Sequence, residues 1–133
     1  MKIKLIIPGE LVDLNTYISA ERRNRYAGAK IKQEMTDYIT LLAKRLKTEI
    51  RTPVQVTYRW YCKDKRKDKD NVAFAKKFIQ DGLVAAGVLK NDGWNDIEGF
   101  TDEFYIDKEN PRVEVEITPI AAAHVINKKI ERM

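Results

Sequence analysis

The chain predicts a small α+β domain. Its order is strand, helix, strand, helix, strand, strand, with a C-terminal tail and the helices packed on a sheet. Three observations carry this. Ile3, Leu5 and Ile7 alternate with Lys2 and Lys4, and Val54, Val56, Tyr58, Trp60 and Cys62 alternate with Gln55, Thr57, Arg59 and Tyr61. A period of two marks a strand with one buried face. Between these runs, Ile31, Met35, Tyr38, Ile39, Leu42 and Leu46 recur at helical spacing, so they form the core stripe of a helix. With 133 residues and 44% apolar content, the chain is long enough for one domain around one core.

The elements follow in order. Pro8-Gly9 ends the first strand, as that dipeptide marks a turn. Residues 10–29 read as irregular and polar, with Glu21-Arg22-Arg23-Asn24-Arg25-Tyr26 as a basic centre. The first helix is expected from about Lys30 to Thr48, and the second strand over Val54 to Cys62. Lys63 to Lys69 is a charged run that no core could hold. Asp70 or Asn71 is suited to cap the next helix. That helix is expected to reach about Ala86, bury Phe74, Phe78, Ile79 and Leu83, and stop at Gly87. A loop at Asn91-Asp92-Gly93-Trp94 leads to a strand near Gly99 to Ile106. Lys108-Glu109-Asn110-Pro111 reads as a turn. Val113, Val115 and Ile117 then alternate with Glu114 and Glu116 as the last strand, expected to pair with the preceding one as a hairpin. After Pro119, residues 120–133 form a tail suited to a short helix, with Ala122, Ile126, Ile130 and Met133 on one side. The domain is therefore expected to span 1–119.

Charge is unevenly distributed. The net charge is +5. Glu21 to Arg66 holds 13 basic and 5 acidic residues, a net +8, whereas Asn91 to Thr118 holds 2 basic and 9 acidic, a net −7. One part suits a polyanion and the other is acidic; the plain alternative is two solvated faces of opposite sign. Cys62 is the only cysteine, which excludes an internal disulfide and a cysteine-built zinc site. Met1 to Ile7 alternates like a strand rather than forming a signal peptide's apolar core. No apolar run approaches the roughly 20 residues that span a bilayer. A soluble, cytoplasmic protein without membrane partners is the expectation.

The chemistry concentrates in Asp68-Lys69-Asp70-Asn71, the following Lys76-Lys77, and Gly87-Val88-Leu89-Lys90-Asn91-Asp92. Carboxylates at alternate positions of an extended segment point to the same side. Asp68 and Asp70, with Asp92 closing the next turn, can hold a hard divalent cation such as Mg2+ through oxygen ligands. Acids of this kind inside a basic protein point to metal-assisted chemistry on a phosphate backbone. A lysine on the intervening helix can steady developing charge. If that helix starts at Asp70, Lys77 returns to within about 20° of the same face, while Lys76 falls about 120° away. Both lysines are otherwise ordinary solvated positions. Asp81, four residues after Lys77, suits a surface ion pair.

Asp68-x-Asp70-Asn71, the helix lysine and Gly87-Val88-x-x-x-Asp92 resemble the RusA family of Holliday junction resolvases, small endonucleases common in prophages. Asn15-x-Tyr17 after the first strand and the last two strands extend the resemblance over most of residues 1–118. It implies a homodimeric, Mg2+- or Mn2+-dependent endodeoxyribonuclease that resolves four-way DNA junctions in recombination and repair. Its essential aspartates match Asp68, Asp70 and Asp92, and its essential lysine best matches Lys77. The stretch from Asp70 to Gly87 is longer than in the family pattern, which keeps Lys76 as an alternative. Asn91 stands where the family often has an acid, with Asp96 as a candidate replacement.

Arg22, Arg23, Arg25 and Lys30, and likewise Lys63, Lys65, Arg66 and Lys67, are candidates for phosphate contacts beside the site, or else simply solvated. Tyr17, Tyr26 and Trp94 can stack on unpaired bases or serve packing. His124, the only histidine, has no assigned role. Two other functions compete: a branched-DNA-binding module that does not cut, and a nuclease for another branched or single-stranded DNA. Three acids near a phosphate repel it without a metal, which weighs against the pure binder.

Overall fold

A computed structural model describes residues 2–120. The expected tail helix and His124 lie outside the described residues. In chain order come β1 (Ile3–Pro8), α1 (Leu14–Arg23), α2 (Arg25–Lys44), β2 (Val54–Cys62), α3 (Lys69–Ala73), α4 (Lys76–Ala85), β3 (Ile97–Ile106) and β4 (Arg112–Pro119). The α+β class and the order of strands and helical regions agree with the sequence prediction.

Residues 10–29 are not irregular. Asp13 caps α1, its Oδ1 accepting from the Thr16 amide at 2.8 Å. Asn24 ends α1 in an extended conformation and caps α2, accepting from the Ala27 amide at 2.8 Å. Short polar side chains at these two positions satisfy amides that a helix start leaves open. The first long helix therefore begins at Arg25 and ends at Lys44, earlier at both ends than expected. The two helices approach closely where Gly28 faces Glu21. A Cβ on Gly28 would lie 2.5 Å from Glu21 Cγ.

The strands form one mixed sheet in the order β1-β4-β2-β3. The expected β3–β4 hairpin does not form. β4 runs antiparallel between β1 and β2, pairing Val115 with both Leu5 and Tyr58. β3 instead lies parallel to β2, with Asp102 opposite Tyr58 and Phe104 opposite Trp60. The helical crossover α3–α4 makes this parallel pairing possible. Burial explains the choice. Val113, Val115 and Ile117 are buried in the middle of the sheet, while β3 carries Glu98, Asp102 and Glu103 at an edge, where charge discourages further strand pairing.

One sheet face, with Leu5, Ile7, Val56, Tyr58 and Trp60, joins Ile39, Phe78, Ile79 and Leu83 in the core. Gly82 lets α4 approach α2 closely: a Cβ there would lie 2.5 Å from Ile39 Cγ2. The other face is a ladder of ion pairs. Arg59 bonds Glu116 (2.6 Å) and Glu103 (3.0 Å), and Glu114 takes Lys4 (2.7 Å) and Arg112 (2.8 Å). Its charges compensate one another.

Candidate active site

The acid motif sits where β2 gives way to α3. Asp68, not Asp70 or Asn71, occupies the N-cap position, and its side chain makes no capping bond. Asp70 Oδ1 accepts from the Asn71 amide at 2.9 Å, and Asn71 Oδ1 accepts from the Asn15 amide at 2.9 Å. The predicted single helix is interrupted. Ala75, Lys77 and Phe78 donate to Val72, Phe74 and Ala75, three residues back, a tighter pattern that separates α3 from α4. The rotation from Asp70 to Lys77 along one ideal helix therefore does not apply.

The two lysines go different ways. Lys77 Nζ lies 3.1 Å from Asp81 and 3.2 Å from Asp92, and its side chain is 57% exposed. The Asp81 pair is the one the spacing predicts. Asp81, opposed by partial burial and supported by Asp92, raises the Lys77 pKa and keeps it an ammonium. Lys76 turns toward the sheet, where it pairs with Asp102 and is 19% exposed. Its Nζ stands 4.3 Å from the Phe100 ring centroid. Asp102 also accepts from Trp60 Nε1 at 2.9 Å. Beneath them Tyr58 OH receives Gln80 Nε2 at 3.1 Å. Burial first, then the charges of Asp102 and Asp92 against the opposing Gln80 bond, push its phenol well up.

Asp102 escaped the sequence reading. Its one local signal is its position in β3, alternating in step with Phe100 and Phe104. It lines a concavity with Lys69, Asp70, Lys76 and Phe104. A neighbouring groove, with Lys65, Lys67 and Asp68, shares Asp70 and Phe104 with it, so the two adjoin. Asp92 lines a third concavity with Gln80, Trp94 and Phe100.

Asp68, Asp70 and Asp92 supply only oxygen donors, the kind Mg2+ or Mn2+ prefers. Among the described residues, however, no group of three or more His, Cys, Asp or Glu side chains is placed to hold a metal ion. Asp68 and Asp70 share the groove, whereas Asp92 is tied to Lys77. Asp96 serves the turn before β3, accepting from the Gly93 amide at 3.3 Å.

Several basic candidates already have acidic neighbours. Lys67 pairs with Asp13 at 3.0 Å, Lys63 with Glu10 at 4.0 Å, Arg66 with Asp64 at 3.7 Å and Lys30 with Glu34 at 3.9 Å. Arg22 and Arg23 end α1, Arg25 lies over the Tyr26 ring at 5.1 Å, and Lys65 lines the groove. Tyr17 packs against Phe74 at 5.4 Å and Phe78 at 5.9 Å, so its role is packing.

Among the described residues no helix is long and apolar enough to cross a membrane. The family model described as Endodeoxyribonuclease RusA matches residues 11–118. No curated protein matches the chain.

Proposed function

Because the chain belongs to the RusA endodeoxyribonuclease family, we propose that it is a metal-dependent, structure-specific nuclease. Its substrate in this reading is the four-way Holliday junction of DNA recombination and repair, cut by phosphodiester hydrolysis. The observation that carries the reading is the Lys77–Asp92 contact at 3.2 Å. It places a helix ammonium beside an acid of the loop beyond, two groups that the proposed phosphate chemistry uses.

In this proposal Asp68, Asp70 and Asp92 hold Mg2+ or Mn2+. A bound ion supplies Lewis acidity toward phosphate oxygen and makes a bound water more acidic. Lys77, kept protonated by Asp81 and Asp92, offers positive charge to the phosphoryl oxygens. Arg22, Arg23, Arg25, Lys30, Lys63, Lys65, Arg66 and Lys67 bind backbone phosphates, which contributes affinity without sequence reading. Those already paired with acids contribute less than their charge suggests. The assembly proposed is a homodimer, since a two-fold enzyme meets a two-fold junction.

One observation favours a second reading, a branched-DNA binder that does not cut: the three acids are not gathered into a metal-holding group among the described residues. A single assay separates the two. Labelled four-way junction, flap, single strand and duplex are offered with Mg2+, Mn2+, Ca2+ or chelator. The nuclease reading expects cutting of the junction with Mg2+ or Mn2+ only, and binding with little turnover in Ca2+. Asp70→Asn and Asp92→Asn should each bind the junction without cutting it. Full cutting in excess chelator refutes the metal mechanism, and binding without cutting under every metal selects the second reading.

A further inference from the structure

The chain has two tryptophans, in opposite surroundings. Trp60 is 2% exposed and Trp94 is 93% exposed. Trp94 stands on a hydrogen-bonded turn. The Asp96 and Ile97 amides donate to Gly93 O at 3.1 and 3.0 Å, and the Val54 amide donates to Asp96 O at 2.9 Å, tying the turn to β2. The chain thus presents a large apolar ring to solvent on an anchored support. An indole so exposed gains almost nothing from burial on folding, so stability gives no reason for it.

Its surroundings point to a ligand. Trp94 follows Asp92 by two residues and lines one concavity with Asp92, Gln80 and Phe100. Phe100, on β3, is itself 51% exposed and has the Lys76 ammonium 4.3 Å from its ring centroid. Two aromatic faces therefore flank a carboxylate, with Lys76 and Lys77 alongside. The aromatics suit a flat, neutral ring, while Lys77, its side chain 57% exposed, suits a phosphate beside it. A base inside a duplex has both faces covered by its neighbours. A base out of the stack offers a face, and aromatic side chains take it regardless of sequence.

We propose that Trp94, with Phe100 beside it, is a stacking platform for an unpaired base of the DNA substrate. The choice of DNA as ligand rests on the nuclease reading above. The platform would favour branched or single-stranded DNA over plain duplex, because only the former exposes base faces next to the strand being cut. A second copy of the chain covering the indole is the competing occupant.

Intrinsic fluorescence tests this on the full chain in Ca2+, in which the nuclease reading expects binding with little turnover. Trp94 emits to the red of buried Trp60. An oligothymidylate should quench the red component, and a hairpin-closed duplex of equal length should quench it much less at equal saturation. Trp94→Ala should lose the quench, keep the wild-type melting temperature, and bind the oligothymidylate on the order of tenfold more weakly, losing more on the single strand than on the duplex. Single-strand binding by wild type without quenching overturns the platform, as does unchanged single-strand affinity in Trp94→Ala. A blue shift with rising protein concentration and no DNA places the indole between two copies and also overturns it. If wild type cuts a junction in Mg2+ yet shows no quench, the platform fails and the nuclease reading stands. If it binds none of these DNAs, both fail.

Discussion

Asn71 Oδ1 accepts the backbone amide of Asn15 at 2.9 Å, across 56 positions of sequence. Asn15 lies in the first turn of α1, where amides have no partner within the helix. The asparagine of the acid motif therefore helps cap a different helix, and α1 in turn anchors the start of α3. Two further contacts fasten the same segments. Lys67 pairs with Asp13 at 3.0 Å, and the Lys63 amide donates to Glu10 at 3.1 Å. The chain between β1 and α1 thus holds the loop that carries Asp68 and Asp70.

Asn71→Ala removes that acceptor. Stability should fall by about 1 kcal/mol, the usual cost of a lost cap or hydrogen bond, read from the urea midpoint. Junction cutting, on the nuclease reading, should fall by more than the stability change accounts for, because the acids lose their anchor. Asn71→Asp keeps an acceptor and should recover most of both. If Asn71→Ala cuts and unfolds like wild type, the link has no role in positioning.

Lys77 and Lys76 should separate function from stability. Lys77→Ala is expected to lose about 10²–10³ in cutting rate, by analogy with removal of one charge-stabilising donor, with its melting temperature retained. Lys76→Ala leaves the Asp102 carboxylate without its ammonium partner, held by the Trp60 indole N–H. It should cost about 1–3 kcal/mol of stability and change cutting modestly. Single-turnover rates on one junction, with thermal melts of both variants, decide the ranking. The reverse ranking would move the catalytic role to the Lys76–Asp102 pair.

Gly82→Ala should destabilise despite alanine's better helix propensity. The added methyl would lie 2.5 Å from Ile39 Cγ2 and 2.8 Å from its Cβ, and Ile39 is fully buried. Overpacking of this kind costs about 1–3 kcal/mol. A melting temperature at or above wild type would mean that α2 and α4 separate freely.

Acid should unfold the protein through its paired carboxylates. Lys4 holds the Glu114 carboxyl below its ordinary 4.5, and Arg59 does the same for Glu116. At Asp13 burial pushes upward, but the Thr16 amide and Lys67 prevail and the value falls below 3.8. A carboxylate with a lowered folded value stabilises the fold at pH above its unfolded value, and that stability is lost as pH falls through the folded one. The melting temperature should thus be insensitive to these groups at neutral pH and drop once the pH passes below 4.5 and then 3.8. Glu114→Gln should show a shallower acid decline; an identical profile would remove Glu114 from this account.

The strands β1, β2 and β4 and the apolar stripe of α2 were legible in the sequence, because period-2 and helical spacing are properties of near neighbours along the chain. The acid motif and its family resemblance were legible for the same reason, since they are short strings. α1 was missed although Asp13 and Asn24 signal its ends and Leu14, Tyr17 and Ile18 recur at helical spacing; that stripe is short, and it lies in a segment that is otherwise polar. The spacing Asp70 to Lys77 was readable, but the break at Phe74–Ala75 voids the rotation inferred from it. Only the tertiary structure decided that β4 inserts between β1 and β2, that Asp102 meets Lys76 across 26 positions, and that Trp94 stands in solvent beside Asp92. Periodicity shows which face of an element is apolar. It does not show which of several apolar faces will meet, and ion pairs and strand order follow from that meeting.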